Sequence, residues 1–234
     1  MTQKILLLKT GTTYTDIRRQ FGDFDAWFTR ALHHSDIEVV DAVTESVSPD
    51  WLAYDGIIIT GSPAMVTERE PWSERLADWL AGHAHGRMPI LGVCYGHQLL
   101  AHALGGTVDW HPRGREIGTV EIELTPSGKK DTLLEVLPQT FLGHVTHAQS
   151  VTRLPPAATL LASNDFEPHH GFRVGESTWG VQFHPEFNPA IMQAYLTQSQ
   201  TTLAREGRDV DALMEQVTEA DANGGLLRRF VTLL

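Results

Sequence analysis

The sequence predicts an α/β fold, a doubly wound and mainly parallel sheet with a small antiparallel addition, and three observations lead there. Four short apolar runs in the first half (residues 5–8, 38–43, 56–60 and 89–93) do not alternate polar with apolar residues, as expected of strands covered on both faces. Longer segments of helical character lie between them, and that alternation makes the sheet parallel. Beyond Gly106 the pattern changes. Residues 116–124 alternate, with Ile117, Val120, Ile122 and Leu124 as the apolar members and charged alternates marking a solvated face, hence an antiparallel or edge strand.

Taken in order, the run ILLL at 5–8 reads as a buried strand, and residues 16–34 read as the helix that follows it. The strands at 38–43 and 56–60 precede a second helical stretch, 72–85. The strand at 89–93 leads into a helix at 95–104, whose apolar face is Leu99, Leu100, Ala103 and Leu104. Residues 141–145, 158–162 and 179–183 are further strands, with Pro155 and Pro156 marking a turn before the second of them. Residues 189–206 and 210–234 read as helices separated near Gly207. With no repeat, low-complexity tract or linker, residues 1–234 are expected to form a single domain, with 189–234 as a helical C-terminal extension.

Composition narrows the function classes. The 234 residues are 41% hydrophobic and 20% charged, an ordinary globular balance. The net charge of -11 has the wrong sign for neutralising phosphates, so no nucleic-acid partner is expected. Four apolar residues near the N-terminus are too few for a signal peptide or a membrane span. One cysteine forms no internal disulfide and fits a reducing compartment. A soluble, cytoplasmic protein is expected, with no membrane contact.

That cysteine, Cys94, stands in GVCYGHQLLAHALGG, on the turn from a strand into a helix, with Gly92 and Gly96 two residues to either side. A lone cysteine is most often a small buried hydrophobe. The spacing Gly-x-Cys-x-Gly in this setting is instead the cysteine form of the nucleophile elbow, where tight backbone packing favours glycine on both sides. Such a turn pushes the side chain out above the carboxyl edge of the sheet, where open α/β sheets bind ligands. The helix N-terminus favours the thiolate.

A thiolate nucleophile needs a base, and the base an orienting group. In GVQFHPEF, His184 and Glu186 follow a strand-like run two residues apart, with Pro185 favouring an extended geometry that points both side chains the same way. Glu186 can then accept from one imidazole nitrogen while the other faces the thiol. By itself His-Pro-Glu reads as a surface turn; with the elbow it reads as the rest of a triad. His33-His34, His83-x-His85 and His169-His170 lack a shared helical face or a completing ligand, so no metal and no cofactor are expected. Trp27, Trp51, Trp72 and Trp79 read as core or rim packing.

Together these motifs resemble the class I glutamine amidotransferases, the group with a Cys-His-Glu triad, and most of all the amidotransferase half of GMP synthases and free-standing relatives. The likeness runs from residue 5 to residue 187 and includes weaker matches at TGTTYT (10–15), TGSP (60–63) and THAQSV (146–151). The resemblance implies an enzyme in which Cys94 attacks the side-chain amide of glutamine, giving a γ-glutamyl thioester and ammonia. His184 transfers the protons and Glu186 orients it. The oxyanion would be held by the backbone N–H groups of Tyr95 and Ser62. Gly61 and Gln98 would line the glutamine pocket, and Thr146 and Gln149 would contact the amino-acid end of the substrate.

Three departures from the pattern bear on function. Ser62 stands where the family commonly has a second glycine. Gln149 stands where GMP synthase relatives have aspartate. No synthetase domain with a Gly-rich phosphate loop follows residue 187, so any acceptor of ammonia is expected on a separate synthetase subunit, and the departure raises the free-standing hydrolase reading. Two other readings share the motifs: a free-standing hydrolase of γ-glutamyl peptides or amides, and a non-catalytic binding module. Intact Cys94, His184 and Glu186 argue against the last. An unrelated α/β hydrolase with a cysteine nucleophile would place its acid before its histidine, the reverse of the order here.

Overall fold

The computed structural model describes residues 2–32, 35–45, 53–84, 88–222 and 224–234. Its strands are β1 (Lys4–Lys9), β2 (Asp36–Asp41), β3 (Gly56–Ile59), β4 (Ile90–Val93), β5 (Thr107–Trp110), β6 (Glu116–Leu124), β7 (Thr140–His147), β8 (Gln149–Arg153), β9 (Ala158–Ser163), β10 (Gly171–Val174) and β11 (Thr178–Val181). Its helices are α1 (Thr15–Phe21), α2 (Phe24–Ala31), α3 (Pro71–His83), α4 (Tyr95–Ala103), α5 (Pro189–Arg205), α6 (Val210–Glu215) and α7 (Gly225–Thr232).

Nine strands form one sheet in the order β2-β1-β3-β4-β11-β10-β9-β6-β7. From β2 to β11 the pairing is parallel. From β11 to β7 it is antiparallel. β5 and β8 make a separate two-stranded antiparallel sheet.

The unbroken apolar run of β1 now has its physical reason. Ile5 and Leu7 pack on one face with Phe28 of α2 and Leu226 and Phe230 of α7. Leu6 and Leu8 pack on the other with Leu76 and Leu80 of α3 and Leu99 and Leu100 of α4. Burying each such side chain is worth roughly 1.5–3 kcal/mol, so strands covered twice over dominate this core. β6, which alternates, exposes Glu121 and Glu123 while burying Ile122 and Leu124.

Four expectations need correction. The single helix at 16–34 is two helices: Gly22 adopts φ 89°, and the Asp23 carboxylate caps α2 by accepting the Phe24 N–H. Residues 210–234 also break, because Asp209 caps the short α6 and Gly224, at φ 64°, starts α7 afresh. The strand read at 179–183 ends at Val181, where the chain leaves its neighbours for β7: the His184 N–H donates to the His144 carbonyl at 2.8 Å. β5, β8 and β10 were not anticipated; β5 (TVDW) is largely exposed and carries no apolar run. His33, His34, Trp51 and His85 lie outside the described residues. Among the described residues, no helix is long and apolar enough to cross a membrane.

Candidate active site

Cys94 sits between β4 and α4 with φ 52° and ψ -100°, a left-handed conformation that costs a side-chain-bearing residue about 1–3 kcal/mol. The surroundings enforce it. The Cys94 N–H donates to the Val181 carbonyl at 2.9 Å and the Gly96 N–H to the Thr60 carbonyl at 3.2 Å. The two flanking glycines are sterically required: a Cβ on Gly92 would lie 2.4 Å from the Gly96 carbonyl oxygen, and one on Gly96 would lie 2.5 Å from the Ile59 oxygen. The spacing read in the sequence is thus a close approach of β4, α4 and the end of β3.

His184 and Glu186 meet differently from the extended arrangement expected of them. The Phe187 N–H donates back to the His184 carbonyl at 3.3 Å, so residues 184–187 form a turn. The turn still brings His184 Nδ1 to 2.8 Å from Glu186 Oε1. It also folds the Phe187 ring onto the imidazole, centroids 4.0 Å apart. Phe187 is backed in turn by Trp27 and by Tyr195 of α5, whose hydroxyl is 2.7 Å from that of Thr13. The imidazole is held in plane by its carboxylate and from behind by three aromatic rings.

The other nitrogen, His184 Nε2, is buried and has no hydrogen-bond partner among the described residues. Burial would lower the pKa of this histidine, but the charges of Glu186 and Cys94 outweigh it and push it up to about 10. Gly61 lies against both His184 and Cys94. A Cβ there would lie 2.9 Å from His184 Cε1 and 3.7 Å from Cys94 Cβ. Nearby His144 is held down at about 4 by burial and by the charge of His184.

Tyr95 is the first residue of α4, where a backbone N–H has no intrahelical acceptor. Its side chain is fixed by the Ser73 hydroxyl at 2.6 Å and by stacking on Trp72, and burial pushes the phenol up to about 12. On the facing loop, the hydroxyls of Thr10 and Thr60 lie 3.1 and 2.9 Å from the Gly61 carbonyl oxygen. In a trans peptide the next N–H, that of Ser62, points the opposite way. The Ser62 Oγ accepts from the Ala64 N–H at 3.1 Å. Ser62 does not adopt a positive φ, so the loop imposes no need for glycine at this position.

A cleft of about 100 Å³ joins these groups, space for several waters and so for a ligand of amino-acid size. Ser62, Cys94, Tyr95, Gln98, His184 and the corner Thr146–Gln149 all line it. Gln98 and Gln149 are both held by neighbours in the wall. Gln98 Nε2 donates to the Gln149 carbonyl at 2.8 Å and to Gln182 Oε1 at 2.9 Å, leaving Gln98 Oε1 for a ligand. The Gln149 amide reaches across to Thr67, with Nε2 2.5 Å from the hydroxyl and Oε1 3.4 Å from the N–H. Beneath the corner, His147 links the Gln149 carbonyl at 2.9 Å to Glu116 at 3.0 Å. Burial alone would raise the Glu116 carboxyl, but His147 and His170 hold it well below the usual carboxylate range.

The fold brings together Cys94, His184, Glu186, Gly61, Ser62, Tyr95, Gln98, Thr146 and Gln149. Sequence reasoning missed Thr67, Phe187, Tyr195 and the Glu116–His147 pair. Phe187 was visible as the last residue of GVQFHPEF and His147 lies within THAQSV; Thr67, Glu116 and Tyr195 fall outside the quoted motifs.

The model of the glutamine amidotransferase class-I family matches residues 21–202, a stretch that contains Cys94, His184 and Glu186. The chain belongs to that family. Relatives include the GMP synthase [glutamine-hydrolyzing] of Porphyromonas gingivalis, 36% identical over 132 residues covering 56% of this chain and 24% of the relative. Another GMP synthase, from Cytophaga hutchinsonii, is 30% identical over 195 residues, 82% of this chain and 34% of the relative. Gamma-glutamyl peptidase 3 of Arabidopsis thaliana is 30% identical over 142 residues, 59% of this chain and 57% of the relative. The match thus spans about a quarter to a third of these synthases and about half of the peptidase. Among solved structures, a glutamine amido transferase of Methylobacillus flagellatus superposes with a TM-score of 0.74 at 19% identity, covering 100% of this chain and 96% of that one. A glutamine amidotransferase of Thermotoga maritima gives 0.71 at 21% identity, with 99% and 97% covered. At these identities the likeness is one of fold, a mixed α/β architecture that this family shares.

Proposed function

We propose that the chain hydrolyses the side-chain amide of glutamine through a γ-glutamyl thioester on Cys94 and releases ammonia. The observation that carries this reading is the His184 imidazole, held 2.8 Å from Glu186 on one side and left unpartnered toward Cys94 on the other. A histidine raised to about 10 by the charges of Glu186 and Cys94 is basic enough to take the thiol proton, and the proposed mechanism starts from that transfer.

The thiolate of Cys94 adds to the amide carbon, and the carbonyl electron pair moves onto oxygen, where the Tyr95 and Ser62 N–H groups receive it. Collapse breaks the carbon–nitrogen bond, and His184 Nε2 gives its proton to the leaving nitrogen, which departs as ammonia. The neutral imidazole then takes a proton from water as its oxygen attacks the thioester. The second collapse expels the Cys94 thiolate and glutamate, and His184 is left protonated as at the start. Glu186 keeps Nδ1–H as the donor throughout, which fixes Nε2 as the working nitrogen.

The second reading is a γ-glutamyl peptidase. It is favoured by the likeness to the Arabidopsis peptidase and by chemistry, since the same thioester forms when any amine leaves a γ-glutamyl carbonyl. In the amidotransferase reading, ammonia passes to a synthetase subunit, as the likeness to GMP synthases suggests. A substrate panel on the purified protein separates the two. Ammonia release from glutamine, rising when a partner synthetase is added, supports the first. Turnover of γ-glutamyl dipeptides with glutamine inert replaces it with the second.

A further inference from the structure

We infer that Arg115 is the anchor for the α-carboxylate of the γ-glutamyl donor, an inference that rests on the proposed chemistry at Cys94 and extends it to substrate recognition. Arg115 immediately precedes β6. The antiparallel register sets Glu116 opposite His147 and Ile117 opposite Thr146, so Arg115 falls beside Ala148, at the tip of the corner that lines the cleft. Arg115 itself lines the same cleft.

The guanidinium is uncommitted. Its Nε is shut off from solvent and has no hydrogen-bond partner among the described residues, where the side chain also makes no ion pair. Only its backbone is tied down, the Arg115 carbonyl accepting from Arg208 Nη1 at 3.1 Å. A buried donor left unpaired is costly and rare, and a site that meets an anion is one place where it persists. Of the carboxylates around the site, Glu116 is engaged by His147, His170 and Asn164, and Glu186 is engaged through Oε1 by His184. Among the described residues, the lining of the cleft holds no aspartate or glutamate.

That absence decides which end of an amino acid is gripped by charge. Gln149, the side chain nearest in role to an ammonium acceptor, has its amide engaged by Thr67. The wall therefore offers an ammonium group neutral oxygens, and offers a carboxylate a planar fork of N–H donors. Glutamine and γ-linked peptides both keep a free α-carboxylate, so one arginine serves both donors.

The test compares glutamine with its α-methyl ester, which keeps the ammonium and the scissile amide but has no carboxylate. Arg115→Met should raise KM for glutamine about tenfold or more with kcat nearly unchanged, and leave kcat/KM for the ester as it was. Arg115→Lys should fall between. An equal loss on both substrates, or none on either, overturns the assignment. So does a loss confined to γ-glutamyl dipeptides and absent from their C-terminal amides, which would place the carboxylate on the leaving group. Calorimetric binding of glutamine to Cys94→Ala, with and without Arg115→Met, reads the same contact without turnover. Binding that is indifferent to Arg115 removes the anchor and leaves the thioester chemistry standing. Absence of any binding or turnover with the wild-type chain removes both.

Discussion

The two sides of the cleft are built by different means. On one side, Cys94, His184 and Glu186 come from two short segments: a strained elbow between two glycines, pinned by the Val181 and Thr60 carbonyls, and a turn that closes on itself at Phe187. On the other, the recognition wall is assembled at long range. Thr67 reaches Gln149, Gln98 reaches Gln149 and Gln182, and Glu116 reaches His147, across 31 to 84 residues of chain. The proposed catalytic groups are concentrated in two motifs while the proposed grip is spread along the chain, so damage to the first should appear in kcat and damage to the second in KM.

The largest expected effect tests the local side. Cys94→Ala should reduce hydrolysis by roughly 10⁴-fold or more with the circular dichroism spectrum unchanged, because the nucleophile is lost while the elbow backbone survives. Full activity in that variant would end the triad assignment. His184→Ala should cost roughly 10²–10⁴-fold in kcat, and Glu186→Ala less, since in the proposed mechanism one group moves protons and the other only holds it in place. Negligible losses from both would refute those roles. Gly61→Ala should also lower kcat, on the order of 10²-fold, because its methyl group would sit 2.9 Å from His184 Cε1 and displace the ring. A KM effect alone would show that the ring did not move.

The remote side should respond more mildly. Thr67→Val removes the hydroxyl that holds the Gln149 amide at 2.5 Å, and steady-state kinetics should show KM rising a few-fold, by about the worth of one hydrogen bond, with kcat preserved. A matching fall in kcat would mean that the clamp also positions the thiol.

The smallest effect concerns stability. His184 has a folded pKa raised from 6.5 to about 10, so the folded state binds the proton more tightly than the unfolded one. The stabilisation is fully present below about pH 6.5 and is lost as pH rises toward 10. Denaturation midpoints of the wild-type chain should fall across that window, and those of His184→Ala should fall less. Identical profiles would contradict the ion pair.

The same contrast governs how much of the molecule could be read in advance. β1, β3 and β4 announced themselves because burial on both faces leaves no polar position, and the elbow because backbone contacts admit only glycine at residues 92 and 96. The break at Gly22 was hidden because residues 16–34 keep helical composition across it; what divides them is Asp23 reaching both the Phe24 and Thr13 N–H groups, the second a tertiary contact. β5 was hidden because an exposed two-stranded ribbon has no apolar periodicity to display. Tyr195 and Arg115 carry no local signal at all, since only the folded chain sets α5 behind Phe187 and the start of β6 beside the corner at Ala148.

The central claim is that Cys94, activated by His184, forms a γ-glutamyl thioester. Intact mass after rapid quench with glutamine measures it directly. A γ-glutamyl increment on the wild-type chain, absent from Cys94→Ala and accumulating in a variant slowed at the water step, is the predicted result. No increment from glutamine or from γ-glutamyl peptides, on a protein whose Cys94 still reacts with an alkylating reagent, would contradict it.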